Sequence, residues 1–135
     1  QLAALQRDAG QGRVLRDGGV LAALADQDAG PRGVFVDFFG RPVSTHKAVA
    51  FLAMEYNVLM VVCGTPKIDG VYRIWAVDTI DPLDYADARD PVREITQRFT
   101  AGLEKLVREA PEQYFWVHRR WKHQPQPRAK KKSAA

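Results

Sequence analysis

The sequence predicts a mixed α/β domain, a layered sheet with flanking helices. Short apolar runs of strand length alternate with longer stretches of helical period. An Asp-Gly pair joins two of those runs. A Pro-initiated amphipathic stretch of nearly twenty residues follows them. Its 135 residues make one domain at most, or part of one, and a 46% hydrophobic content excludes wholesale disorder.

Taken in order, residues 1–17 read as a helix carrying Leu2, Leu5, Val14 and Leu15, interrupted by Gly10 and Gly12. Gly18-Gly19 ends it, and Val20–Ala25 reads as a short strand buried on both faces, because its apolar run does not alternate. After a loop with Gly30, Pro31 and Gly33, Val34–Phe39 is extended, with Val34, Val36 and Phe38 on one side. Ser44 or Thr45 can cap a helix over 46–56, apolar nearly all round and so expected to be buried, with Asn57 as its stop. Val58–Cys63 and Val71–Ile80 are two further strands. The Asp69-Gly70 turn makes them antiparallel neighbours. Asp90 and Pro91 open the clearest helix. Its stripe is Val92, Ile95, Phe99, Leu103, Leu106 and Ala110, with Glu94/Arg98 and Glu104/Arg108 as i,i+4 pairs, and Pro111 stops it. Residues 124–135 carry too little apolar character to join a core and are expected to be a disordered basic tail. The remaining layers are thin for independent folding, since the buried helix and strands call for covering elements.

No apolar run approaches the roughly 20 residues of a membrane helix. A single cysteine, Cys63, excludes an intramolecular disulfide, and its place in VLMVVCG reads as a buried small hydrophobe. The net charge of +4 is uneven. Residues 1–117 hold 13 Lys and Arg against 16 Asp and Glu, whereas residues 118–135 hold seven cations and no acid. A localised cationic end implies an anionic partner: phospholipid, lipid phosphate, an acidic protein or nucleic acid.

Two segments concentrate the chemistry. In DQDAGPRG, residues 26–33, Asp26 and Asp28 project to one side at a strand end, where ligand sites gather in open α/β sheets. They can bind a divalent ion, orient a hydroxyl or hold Arg32, or simply close a solvated turn. Arg32 stands on a rigid Gly-Pro turn, suited to a phosphate or to an internal ion pair. In PEQYFWVHRRWK, residues 111–122, aromatics interleave with cations. Alternation sets Phe115, Val117 and Arg119 opposite Trp116, His118 and Arg120. That pattern suits a membrane interface or a single-stranded nucleic acid, or a core tryptophan among solvated cations. The aspartates at 78, 81, 84, 87 and 90 fit no calcium-loop spacing and read as a solvated acidic loop. Lys130–Lys132 are a solvated tail or a weak tether.

These two segments, the Asp-Gln-Asp with its Gly-Pro-Arg and the PEQY-x-W-x-HRR-x-K run, resemble the lipid A biosynthesis acyltransferases of the lysophospholipid acyltransferase superfamily. The resemblance spans about Arg13 to Pro125. It implies that residues 1–123 are the C-terminal portion of a glycerolipid-acyltransferase-like domain. The implied reaction moves a fatty acyl group from an acyl thioester, on acyl carrier protein, to a hydroxyl of a lipid A precursor at the cytoplasmic face of the bacterial inner membrane. No metal or redox cofactor is implied. The family's base motif is a His followed five residues on by Asp or Glu. Here His46, His118 and His123 are followed at that spacing by Phe51, His123 and Arg128, so no catalytic residue is expected in this chain. His46 reads as a helix-start or core histidine, and His118 takes a structural or lipid-facing role in the family's terminal motif. The resemblance further implies that Asp26, Asp28 and Arg32 position substrate and that Arg119, Arg120 and Lys122 meet lipid phosphates or an anionic membrane. It favours lipid over nucleic acid, so no nucleic-acid partner is expected. The alternative is a non-catalytic module binding anionic lipid or nucleic acid through its cationic aromatic end.

Overall fold

The computed structural model describes residues 10–125. Leu2, Leu5 and the Lys130–Lys132 tail lie outside them. The elements run α1 (residues 10–16), β1 (Val34–Phe38), β2 (Arg41–Thr45), α2 (Ala48–Tyr56), β3 (Met60–Gly64), β4 (Lys67–Ile68), β5 (Val71–Tyr72), β6 (Trp75–Ile80) and α3 (Pro91–Glu109). Three 3₁₀ turns lie at Gly30–Arg32, Pro82–Tyr85 and Pro111–Gln113. The class is mixed α/β. The expected layered sheet is resolved among the described residues into three antiparallel pairs, β1–β2, β3–β6 and β4–β5.

Helix α3 is the common spine. Asp90 accepts a hydrogen bond from the Arg93 N–H at 3.2 Å and Pro91 occupies the first turn, as the sequence predicts. Its N-terminal half packs Ile95 and Phe99 with Ala50, Val62 and Ile80; further along, Val107 joins Val36, Phe38 and Val43. Thr96 and Thr100 are also buried, their hydroxyls donating to the carbonyls of Val92 and Thr96 one turn back, so the stripe is wider than its apolar residues indicate. Glu104 and Arg108 form their i,i+4 pair at 2.6 Å. Glu94 does not pair with Arg98. That guanidinium instead grips Asp78 on β6 through two 2.9 Å bonds and also reaches the Tyr85 hydroxyl at 3.2 Å. The bidentate fork outcompetes a one-point surface pair.

The hairpin β1–β2 corrects the reading of residues 41–45. Phe39 and Gly40 have φ of 53° and 69°, a two-residue turn with both central residues left-handed, which matches the strand twist. Ser44 and Thr45 lie in β2 and are fully buried, so neither caps α2, whose N-cap is Lys47 with no side-chain bond. Pro42 lies opposite Asp37, and the outward N–H and C=O of Asp37 are both taken by the Gln97 amide, at 2.8 and 3.0 Å. Gln113 does the same for Lys67, at 2.7 and 3.0 Å. Two side-chain amides thus finish two strand edges.

Asp69-Gly70 is a left-handed turn, but it closes the small β4–β5 hairpin; the longer antiparallel pair it announces is β3–β6. Val20–Ala25 is not a strand. Val20 is 92% and Leu24 85% exposed; without a neighbouring strand among the described residues to take its backbone bonds, the run stays irregular, with Ala25 touching the core. Helix α2 ends at Asn57 as predicted, in the left-handed region. It buries Ala50 and Ala53 but exposes Phe51, so it is half covered instead of enclosed. Cys63 is exposed, because β3 is covered on one face only and its neighbours Val62 and Gly64 are the residues that face α3. Three of the five periodic aspartates have structural partners: Asp78 holds Arg98, Asp81 caps Pro82–Tyr85 and Asp90 caps α3; Asp84 and Asp87 are exposed.

Candidate functional site

The two chemistry-bearing segments meet. Residues 26–33 cross in front of β2 with Ala29 N–H donating to the Ser44 carbonyl at 3.2 Å, and residues 114–123 fold over them in a succession of turns. Tyr114 and Trp121 anchor this second segment against Phe38, with ring centroids at 6.2 and 5.6 Å.

Asp28 is the hub. Its side chain is only 7% exposed. One carboxylate oxygen, Oδ1, lies 2.6 Å from His123 Nδ1 and accepts the Gly30 N–H at 2.9 Å. The Asp28 backbone N–H donates to His118 Nε2 at 2.8 Å. Burial works to raise the Asp28 carboxyl, but the His123 hydrogen bond, the Gly30 N–H and the His123 charge together hold it below the ordinary carboxylate range. Its other oxygen, Oδ2, is buried and has no partner among the described residues.

Arg120 lies beneath this cluster at 1% exposure. Its Nη1 donates to the carbonyls of Gln27 at 3.1 Å and Ser44, and its Nη2 donates to Thr45 Oγ1 at 2.6 Å. Burial pulls its pKa down, opposed by Tyr114, Asp28 and Asp26. The guanidinium therefore ties the loop to β2: its two terminal nitrogens are spent on internal acceptors and its Nε is buried with no partner among the described residues, a placement at odds with the phosphate contact expected of it. Arg119 and Lys122 are exposed. So are Phe115, Trp116 and Val117, which leaves an apolar strip beside two free-standing cations.

Arg32 is exposed and forms no ion pair with Asp26 or Asp28 among the described residues. Asp26 is half-buried, and its carbonyl lies 3.5 Å from the Tyr114 hydroxyl. His46 is exposed just ahead of α2. No cluster of three metal-ligating side chains occurs among the described residues. Asp28, His118, Arg119 and Lys122, with Phe115 and Val117, line a concavity of about 430 Å³. His123 is the member that sequence reasoning missed. Nothing in its neighbourhood marks it, and its partner is 95 residues away.

The fold and this cluster define an α/β domain whose Asp-Gln-Asp loop is locked by an aromatic, cationic C-terminal segment. Residues 10–123 match the family described as bacterial lipid A biosynthesis acyltransferase, and the chain belongs to that family. No curated protein matches it.

Proposed function

We propose that this chain serves the transfer of a fatty acyl group from acyl carrier protein thioester to a hydroxyl of a lipid A precursor, at the cytoplasmic face of the inner membrane. The family match over residues 10–123 carries the reading and supports acyl transfer in general. The acceptor oxygen loses its proton to a base and attacks the thioester carbonyl; the C–S bond breaks and the thiolate leaves with a proton. No histidine here has Asp or Glu five residues on, so the proposal gives that deprotonation to residues outside this sequence. Asp28, Asp26 and Arg32 are assigned to positioning substrate. Arg119 and Lys122, with Phe115, Trp116 and Val117, are assigned to the membrane surface, where cations meet lipid phosphate and rings sit at headgroup depth.

The test is a chimera in which residues 10–123 replace the matching segment of an active family member. It should transfer acyl chains, and Asp28→Asn should reduce transfer far more than Asp84→Asn; a folded chimera without transfer overturns the reading. Residues 1–135 alone should give no turnover. For docking, replacing Arg119 and Lys122 with Gln should weaken binding to anionic vesicles by about 2 kcal/mol at low salt, roughly 1 per cation. An unchanged affinity would remove the membrane assignment.

A further inference from the structure

The β4–β5 hairpin carries large apolar side chains into solvent. Val71 is 59%, Tyr72 72% and Ile74 82% exposed, and Trp75, which opens β6, is exposed as well. A soluble domain rarely leaves such side chains grouped without a partner. Cations stand among them. Lys67 Nζ lies 5.7 Å from the Tyr72 ring centroid, Arg73 is exposed, and neither forms an ion pair among the described residues. The hairpin is fixed at its base. The Arg73 N–H donates to the Pro66 carbonyl at 3.0 Å, and the Gln113 amide holds both backbone groups of Lys67. That amide joins the hairpin to the 3₁₀ turn Pro111–Gln113. Residues 115–117 follow this turn closely, and Trp116 Nε1 donates back to the Pro111 carbonyl at 2.6 Å.

We propose that the β4–β5 hairpin lies in the headgroup layer of an anionic membrane, as a second contact beside residues 115–117. The inference rests on the membrane assignment of that segment and extends it to a separate element. Apolar side chains next to cations match the boundary where acyl chains meet phosphates: rings and aliphatic groups enter, and the cations stay with the phosphates. Asp69 limits the depth, because a carboxylate at the left-handed turn of the hairpin opposes entry into hydrocarbon. A second copy of the chain is a poorer occupant. Residues 65–75 carry two cations and one acid, so a two-fold contact through the hairpin sets like net charges against each other, whereas anionic lipid attracts them.

The experiment places an environment-sensitive dye on the 135-residue chain in a Cys63→Ser background, through Ile74→Cys or, separately, Val117→Cys. All three side chains are exposed, so the changes leave the packing intact. Vesicles are phosphatidylcholine with or without phosphatidylglycerol. On the anionic vesicles both dyes should shift to the blue. The dye at position 74 should be quenched more by a nitroxide at headgroup depth than by one deep in the acyl chains. Val71→Ser combined with Ile74→Ser, unlabelled, should weaken binding to the anionic vesicles about tenfold, the scale of partial burial of two aliphatic side chains. A response at 117 with none at 74 overturns the hairpin contact and leaves the assignment of residues 115–117 standing. A response at 74 with none at 117 supports the hairpin and removes that assignment. No response at either position overturns both. A blue shift at 74 that needs no lipid and grows with protein concentration gives the hairpin to a second copy and overturns the lipid contact.

Discussion

His123 Nδ1 lies 2.6 Å from Asp28 Oδ1 across 95 residues of sequence. The pair joins the loop that carries Asp26-Gln27-Asp28 to the last described turn of the chain, and its consequences can be measured.

Asp28 should make stability acid-sensitive. Its folded-state carboxyl titrates below the ordinary value of 3.8, so the folded protein binds that proton less readily than the unfolded chain. The contribution is complete above the unfolded value and is lost as pH falls through the folded one. In urea titrations from pH 7 to pH 2, the stability gap between wild type and Asp28→Asn should hold steady at first and begin to shrink below about 3.8. A gap that widens toward pH 2 would show that the carboxylate is not stabilised in the fold.

Neighbouring arginines should behave in opposite ways. Arg120→Ala removes the donors to Gln27, Ser44 and Thr45 and leaves their oxygens buried, which should cost about 3 kcal/mol or more. Arg119→Ala changes an exposed side chain and should alter stability by less than about 0.5 kcal/mol. Chemical denaturation of both variants decides it; equal losses would mean that Arg120 is not the internal fastener described.

Gly102 sets the approach of α3 to β3. A Cβ there would lie 2.9 Å from Val62 Cγ1, closer than packed carbons tolerate. Alanine favours a helix over glycine by about 1 kcal/mol, whereas overpacking costs about 1–3 kcal/mol, so Gly102→Ala should be destabilising on balance. Gly102→Ala combined with Val62→Ala should cost less than the sum of the two single changes, because the truncated side chain no longer meets the new Cβ. If the single variant melts higher than wild type, the contact is looser than the geometry indicates.

Cys63 should react with a thiol reagent in the native protein, without denaturant and at a rate near that of an unfolded thiol, because it faces outward on β3. Protection until global unfolding would restore the buried reading that the apolar run VLMVVC suggests.

Helix α3 was legible because local signals agree. Asp90 and Pro91 start it, a 3.6-residue stripe runs through it and Pro111 follows it. Asp69-Gly70 named a hairpin for the same reason, since a turn is short-range chemistry. The hairpin of β1 and β2 was missed although Gly40 marks its turn. The bulky Phe39 at φ 53° hides the left-handed pair, and Ser44-Thr45 look like a cap when nothing in the sequence says they are covered. Val20–Ala25 failed in the other direction: an apolar run becomes a strand only with a neighbour to bond. In the site, Asp28 was found from its motif, while His123 needed tertiary contact to be seen. The alternation of residues 115–120 already set Arg119 and Arg120 on opposite sides, and the family resemblance grouped them together nonetheless.

The bonds that assemble the Asp28 cluster, from Tyr114 to Asp26, His118 to Asp28, Arg120 to Gln27 and His123 to Asp28, span 88 to 95 residues. The α3 turns and the two-residue hairpins close over a few residues each and can form early. The cluster must wait for most of the chain to be placed before any of its bonds repays the loop it closes. The motif is therefore expected to be the last part of the domain to fold and the first to open. Native-state hydrogen exchange should show the Asp28 amide opening ahead of those of α3.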